Sequence, residues 1–338
     1  MFVKFLTSAI RISAIFLFGS TGEIITEKSG HLNLGVPGVM SVGAAVGCLS
    51  EYYLIKSIGT SVPFLLVLVP LIVTFLAGAA MGALYSFLTV TLRANQNVTG
   101  LAMTTFGVGL AGHLINLIKA EMAVIARASK YYTNLFPIGD KLGWFGEIFL
   151  SHGILVYLAI IVAVAAQLIL NRTRIGLHLR AVGENPATAD AAGINVSRYK
   201  YLATCIGCGI SGLGGLFCIM DYMGGNWDDV HFLEGFGWLS IALVIFTLWR
   251  PALAILGSII FGGLYIASSY ISGITFAQIE LIKALPYVVT IIVLIVTSIL
   301  NSKETQPPAS LGLNYFREER YLIIYGSQVF QLRYALIH

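Results

Sequence analysis

Cys205 and Cys208 stand in a C-x-x-C spacing, and Gly207-Cys208-Gly209-Ile210-Ser211-Gly212 spells G-x-G-x-x-G. The first could be half of a metal or redox site, and the second could cradle the pyrophosphate of a dinucleotide. The context supports neither. The glycine pattern has meaning only between a strand and a helix of a βαβ unit, and here it lies in an apolar stretch long enough to cross a bilayer. No second ligand pair with zinc-like spacing accompanies the cysteines. They read as two thiols one helical turn apart that behave as small hydrophobes, as do Cys48 and Cys218 in their own apolar runs. The chain contains no G-x-S-x-G, no H-E-x-x-H and no G-x-x-x-x-G-K-[ST]. Without a nucleotide-binding loop, any ATP-driven work would need the ATPase on another chain.

The elements that hold these residues are those of a membrane protein. Of 338 residues, 57% are hydrophobic and only 11% charged, with a mean hydropathy of +0.85; an average soluble domain is about 25% charged. So few charges cannot cover a soluble surface, which excludes a cytosolic enzyme, a disordered chain and a secreted disulfide scaffold. Apolar runs at 32–50, 62–92, 98–118, 152–170, 200–220, 233–249, 251–270 and 284–300 approach the ~20 residues of a spanning helix. Residues 5–28 read as a first membrane helix, or a steeply embedded one; Arg11 interrupts the stretch and argues against a signal peptide. The expected fold class is all-α, a polytopic integral membrane bundle of about 8–10 transmembrane helices over residues 1–302, with a cytoplasmic tail at 303–338. Gly43–Gly47, Gly78–Gly82 and the series Gly207, Ser211, Gly215 place a small residue at every fourth position, the pattern of closely packed helices.

The net charge of +4 is too mild to indicate nucleic acid. Its distribution says more. Residues 171–200 hold Arg172, Arg174, Arg180, Arg198 and Lys200 against Glu184 and Asp190, so this loop is expected in the cytoplasm. One crossing later come Asp221, Asp228, Asp229 and Glu234 with no Lys or Arg among them, expected outside. Alternation then places 120–150 outside and Arg93, Arg250 and the tail inside. About nine crossings put the amino terminus outside. Within the inner loop, Asn185-Pro186 reads as an N-cap with proline at the first helical position, residues 187–192 favour helix, and Gly193 supplies a left-handed stop. Such a capped element can dock in a partner's groove and pass rigid-body motion into the bundle, or it can be a surface turn; the residues alone leave both open.

Residues 174–196, Arg-Ile-Gly-Leu-His-Leu-Arg-Ala-Val-Gly-Glu-Asn-Pro-Ala-Thr-Ala-Asp-Ala-Ala-Gly-Ile-Asn-Val, resemble the coupling loop of ABC importer permeases of the ribose, nucleoside and branched-chain amino acid group. Residues 22–40 are similar to the G-E-x-x-x-E-x-x-G-x-x-N-L-G-x-x-G region near the start of these permeases. Residues 92–101, Leu-Arg-Ala-Asn-Gln-Asn-Val-Thr-Gly-Leu, and the closing Gln306-Pro-Pro with Leu313-Asn-Tyr-Phe-Arg-Glu-Glu-Arg320 resemble the nucleoside-type members. Residues 321–338 run past where such permeases are expected to end.

The resemblance implies the permease subunit of an ATP-driven importer in a bacterial plasma membrane, carrying a nucleoside or related simple sugar; a branched-chain amino acid is the alternative. It implies no enzyme activity and no cofactor in this chain, with ATP and Mg on a partner. The implied partners are a second, identical or homologous permease subunit, a cytoplasmic ABC ATPase and an extracytoplasmic substrate-binding lipoprotein, besides membrane lipid. Gly176, Arg180, Gly183, Glu184, Asn185, Asp190 and Gly193 are assigned to ATPase coupling, Glu184 and Asp190 as partners for basic residues of the ATPase. Asp221, Asp228, Asp229 and Glu234 either dock the delivery protein or form a solvated loop. For the substrate path the candidates are Asn33 at the glycine-rich break Gly30–Gly35, Asn95, Gln96 and Asn97 between helices, and Thr104, Thr105 and Asn116, since polar groups at membrane depth are costly and often functional; bonding between helices is the alternative. No cluster of buried charges is evident, which disfavours an ion pathway and a secondary transporter and favours a small neutral polar solute.

Overall fold

In lipid, backbone N–H and C=O groups have no water to bond, so an apolar run must satisfy them internally as helix. The computed structural model describes residues 2–133, 143–227, 229, 231–271, 273, 275–300 and 306–316, and among these there is no strand. The chain runs α1 (Phe2–Glu27), α2 (Val36–Ile58), α3 (Pro63–Ser86), α4 (Gln96–Asn116), α5 (Met122–Tyr132), α6 (Gly143–Phe149), α7 (Ile154–Arg172), α8 (Arg174–Glu184), α9 (Pro186–Ala191), α10 (Val196–Phe217), α11 (His231–Phe246), α12 (Pro251–Ile266), α13 (Phe276–Lys283) and α14 (Leu285–Leu300). Eight helical segments are long and apolar enough to cross a membrane, and α11, at 16 residues, is a shorter apolar ninth. The long run at 62–92 is one helical segment, Pro63–Thr91, with Pro70 inside it and a π-helical turn at Phe87–Thr91. At ~1.5 Å per residue it is ~43 Å long, so it must tilt to fit ~30 Å of hydrocarbon.

The first helix is firmer than its sequence suggests. Ile12, Ile15, Phe16 and Phe18 are fully buried, and α1 packs against α10, α12, α11 and α7. Arg11 does not break it because its guanidinium has a partner. Nε donates to Asp221 Oδ1 at 2.6 Å, and Nη2 donates to the Asp221 backbone carbonyl. Asp221 sits in a second π-helical turn, Cys218–Tyr222, at the end of α10. This corrects its assignment to an external docking loop: at 1% exposure its carboxylate cannot meet another protein.

The core gathers on α10, which is buried over 83% of its most apolar stretch, against 11% for Phe276–Val296. The glycine series sits at the crossing points. A Cβ on Gly22 would lie 2.2 Å from the Gly207 carbonyl oxygen, and one on Gly207 would lie 2.4 Å from that of Gly22. Gly43 meets Gly212 in the same way, and Gly78 meets the Cys208 carbonyl. The small-residue pattern is therefore spent on backbone approach, and C-x-x-C and G-x-G-x-x-G are parts of that packing. Among the described residues no group of His, Cys, Asp or Glu could hold a metal.

Contacts sort the loops into two ends. At one end the α1–α2 turn touches Gly183 and Ser310, and Asn314 bonds to Arg93 and Ala94. At the other, Thr7 bonds to Glu147, Tyr131 to Thr60 and Tyr270 to Lys4. The first end holds the basic loop and is the inner one by charge, in the alternation expected. Gly207→Ala is expected to lower the melting temperature of the detergent-solubilised chain by the equivalent of about 1–3 kcal/mol. Gly109→Ala, where nothing lies within 4 Å of the new methyl group, should be neutral or slightly stabilising in the same thermal melt.

Candidate functional site

The inner loop builds a rigid elbow from its own capping residues. Thr173 Oγ1 accepts the Gly176 N–H at 3.1 Å and starts α8. Asn185 Oδ1 accepts the Thr188 N–H at 2.9 Å, with Pro186 as the first residue of α9. Gly193, at φ +82°, ends it, with its N–H on the Asp190 carbonyl and the Ile194 N–H on that of Ala189. The other two glycines serve close approach: a Cβ on Gly176 would strike the Ile169 carbonyl of α7 at 2.2 Å, and one on Gly183 the Lys28 carbonyl of the α1–α2 turn at 2.3 Å. Glu184 accepts from the Ala309 N–H at 3.4 Å, Ser310 N donates to the Gly183 carbonyl at 3.0 Å, and the Tyr315 hydroxyl donates to Asp190 at 3.1 Å. The two carboxylates expected to face a partner thus also hold residues 306–316 against the elbow. Arg180 Nε is buried without a hydrogen-bond partner among the described residues. It lines a cavity of about 370 Å³ with Lys28, Glu184 and Arg250. Burial pushes the Lys28 ammonium down, and the Glu184 carboxylate opposes it.

Beside the elbow lies a buried polar cluster, which corrects the expectation that no buried charges gather. Glu23 and Glu27, one turn apart on α1, are 1% and 3% exposed. The Asn33 backbone and side-chain nitrogens donate to the two oxygens of Glu23 at 3.1 and 3.4 Å. The Trp249 indole donates to Glu27. It follows Leu248, and both residues hold positive φ, 54° and 55°, a conformation uncommon outside glycine. The i, i+4 spacing of Glu23 and Glu27 in an apolar stretch was the sequence signal for this cluster.

His31 completes it. Thr204 Oγ1 gives its one proton to the Lys200 carbonyl at 2.9 Å, and Thr89 Oγ1 gives its own to the Tyr85 carbonyl at 2.8 Å. Thr204 can therefore only accept from His31 Nδ1, 2.9 Å away. This assigns a proton to Nδ1, with Nε2 facing Thr89 at 3.4 Å. Burial pushes the imidazole well below its ordinary 6.5, and the Lys200 ammonium pushes the same way. A depressed base leaves the folded chain unprotonated while the unfolded chain takes up a proton below 6.5, so acid favours unfolding. In thermal melts from about pH 7.5 to about pH 5.5, the stability advantage of the wild type over His31→Asn is expected to shrink as the pH drops; a constant difference would count against a depressed His31.

The candidate path residues divide. Asn33 is 1% exposed and committed to Glu23, with its Oδ1 accepting from Gly35 N. Gln96 bonds to Leu32, Leu313 and Asn314, Thr104 to the Leu34 carbonyl, and Asn95 caps α4 through Val98 N. Asn33, Gln96 and Thr104 are buried and committed to these bonds, which corrects their placement on the path, while Asn95 is exposed. Asn97, Thr105 and Asn116 are exposed along one side of α4, and nothing approaches Gly109 there. Towards the outer end Thr105, Gly109 and Gly112 line a cavity of about 450 Å³ with His231 and Glu234. Glu234 pairs with His231 at 3.1 Å, and Asp229 accepts the His231 N–H at 2.9 Å. Asp228 lies outside the described residues.

A family described as "Branched-chain amino acid transport system / permease component" matches residues 5–296. The chain is 32% identical over 315 residues to the nucleoside ABC transporter permease protein NupC of Lactococcus lactis, covering 91% of this chain and 95% of that one. It is 29% identical over 322 residues to the guanosine ABC transporter permease protein NupQ of Bacillus subtilis, again covering 91% and 95%. It is 30% identical over 266 residues to the putative glucose ABC transporter permease protein TsgC13 of Haloferax volcanii, covering 76% and 74%. No solved structure matches the chain.

Proposed function

The chain belongs to the branched-chain amino acid transport system permease component family, and on that premise we propose that it is the membrane-spanning subunit of an ATP-driven importer that carries a nucleoside or a related simple sugar inward across a bacterial plasma membrane. The capped elbow α8–α9 carries this reading. It is rigid, it lies at the basic end, and its glycines seat it on α7 and on the α1–α2 turn. A cytoplasmic ATPase, holding the ATP and Mg, would grip α9. Its motion would reach the bundle as a rigid-body shift. Gly176, Gly183, Asn185 and Gly193 shape the elbow, while Arg180, Glu184 and Asp190 present charge at its surface and towards the tail. Residues 303–338 belong to the cytoplasmic side in this reading.

The open side of α4 supports the choice of solute. Thr105, Asn116 and the bare backbone at Gly109 are unfavourable neighbours for lipid tails, so a second permease subunit would face them across a wet path. The α4 helix itself carries no carboxylate, and Glu234 at the outer end of that cavity is paired with His231, which suits a neutral hydroxylated solute. The relatives named for nucleosides and for glucose point to the same class. Asp229 and Glu234 remain at the outer face to dock a solute-binding lipoprotein.

Two outcomes test the reading. Proteoliposomes holding the complete transporter should take up labelled nucleoside or sugar only with ATP, and leucine should neither enter nor compete; leucine uptake alone would overturn the solute class. Gly193→Pro cannot adopt φ +82°, because proline is fixed near −65°. That variant should insert normally and still permit ATP hydrolysis by the partner, while uptake falls by about tenfold or more; normal uptake would count against the coupling role.

A further inference from the structure

Lys200, on the second turn of α10, is 3% exposed. Among the described residues its ammonium makes no hydrogen bond and no ion pair. An ammonium on a mostly buried lysine with no counter-charge in the fold favours an anion in the space it opens onto. Lys200 lines a cavity of about 500 Å³ at the inner end of the bundle. His31 and Thr89 lie deep in it, and Arg93 and Tyr315 stand at its edges. Asn195, Val196 and Ser197, the cap and first turn of the 22-residue α10, form one wall, and a helix start carries unpaired N–H groups and partial positive charge. Asn195 satisfies the Arg198 N–H at 2.9 Å, which leaves the earlier N–H groups of that turn outside its reach. The acid in the lining, Asp190, accepts a bond from Tyr315.

We propose that this cavity is a cytoplasmic binding site for a small phosphorylated metabolite, whose phosphate monoester sits on the start of α10 and against the Lys200 ammonium. The volume favours an esterified ligand over the bare ion, because small-molecule sites commonly span about 300–1,000 Å³. The site is separate from the transport path, since it lies between α10, the 92–95 loop and the elbow, whereas the open side of α4 faces elsewhere. It touches Asp190 and Gly193, so its occupant would contact the coupling element directly.

The full-length chain, purified in detergent, is titrated with a nucleoside 5′-monophosphate, with inorganic phosphate and with the unphosphorylated nucleoside, read by thermal melt and calorimetry. The monophosphate is expected to raise the melting temperature of the wild type. Lys200→Met should weaken its binding by about tenfold to a hundredfold, the scale of a lost hydrogen bond to a charged group. Lys200→Arg, which keeps the charge, should retain most of the shift and guards against a folding defect in the methionine variant. An equal shift in wild type and Lys200→Met, or none in either, would overturn the site. Inorganic phosphate reproducing the whole shift would overturn the assignment to an esterified ligand, and an equal shift with unphosphorylated nucleoside would overturn the role of the phosphate.

Discussion

A polar atom inside a bilayer has no water to bond, so it must be satisfied by the protein itself. The most telling features of this chain follow from that constraint. Arg11 can cross an apolar helix because Asp221 waits in a π-helical turn of α10. Glu23 and Glu27 can be buried because the α1–α2 turn delivers Asn33 and the end of α11 delivers Trp249. Two consecutive left-handed residues at 248 and 249 are the strained part of that arrangement. Each of these contacts ties α1 to a different element, α10, the α1–α2 turn and the end of α11, which specifies the position of α1 tightly.

Glycine supplies the complementary half of the design. Lipid gives helices no hydrophobic reason to associate, so they must approach closely enough for backbone dispersion and polar contacts to hold. Gly22 on Gly207 and Gly43 on the Gly212 backbone bring α1 and α2 onto α10 at distances where a Cβ on Gly22, Gly207 or Gly43 would clash. The same helices then carry the buried polar groups into register. Packing and polar satisfaction are therefore one problem solved on shared surfaces.

These links also describe a mechanical route. The elbow sits on the Lys28 carbonyl through Gly183, and the tail segment bonds to Gly183, Glu184 and Asp190. Lys28 follows directly on the buried end of α1. In the proposed importer, a displacement of α9 would be felt at α1 and α10 through contacts with little slack, since packed interiors shift between arrangements more readily than they deform. Thr105 on α4 lies outside this network and lines a cavity with Gly109 and Gly112, which separates groups that hold the fold from a group a solute could meet.

The sequence by itself determined the all-helical membrane class, the inner and outer ends, the capped elbow and its family resemblance. Each of these depends on local composition, capping chemistry or charge along the chain, and all are properties of neighbours in sequence. Only the tertiary structure decided that Asp221 pairs with Arg11, that Glu23 and Glu27 are buried together, that Asn33, Gln96 and Thr104 are structural, and that Lys200 faces a cavity alone. Those facts depend on which faces of distant helices meet. A polar residue's letter is the same whether a partner from 200 residues away satisfies it or a solute does, and only the three-dimensional packing separates the two.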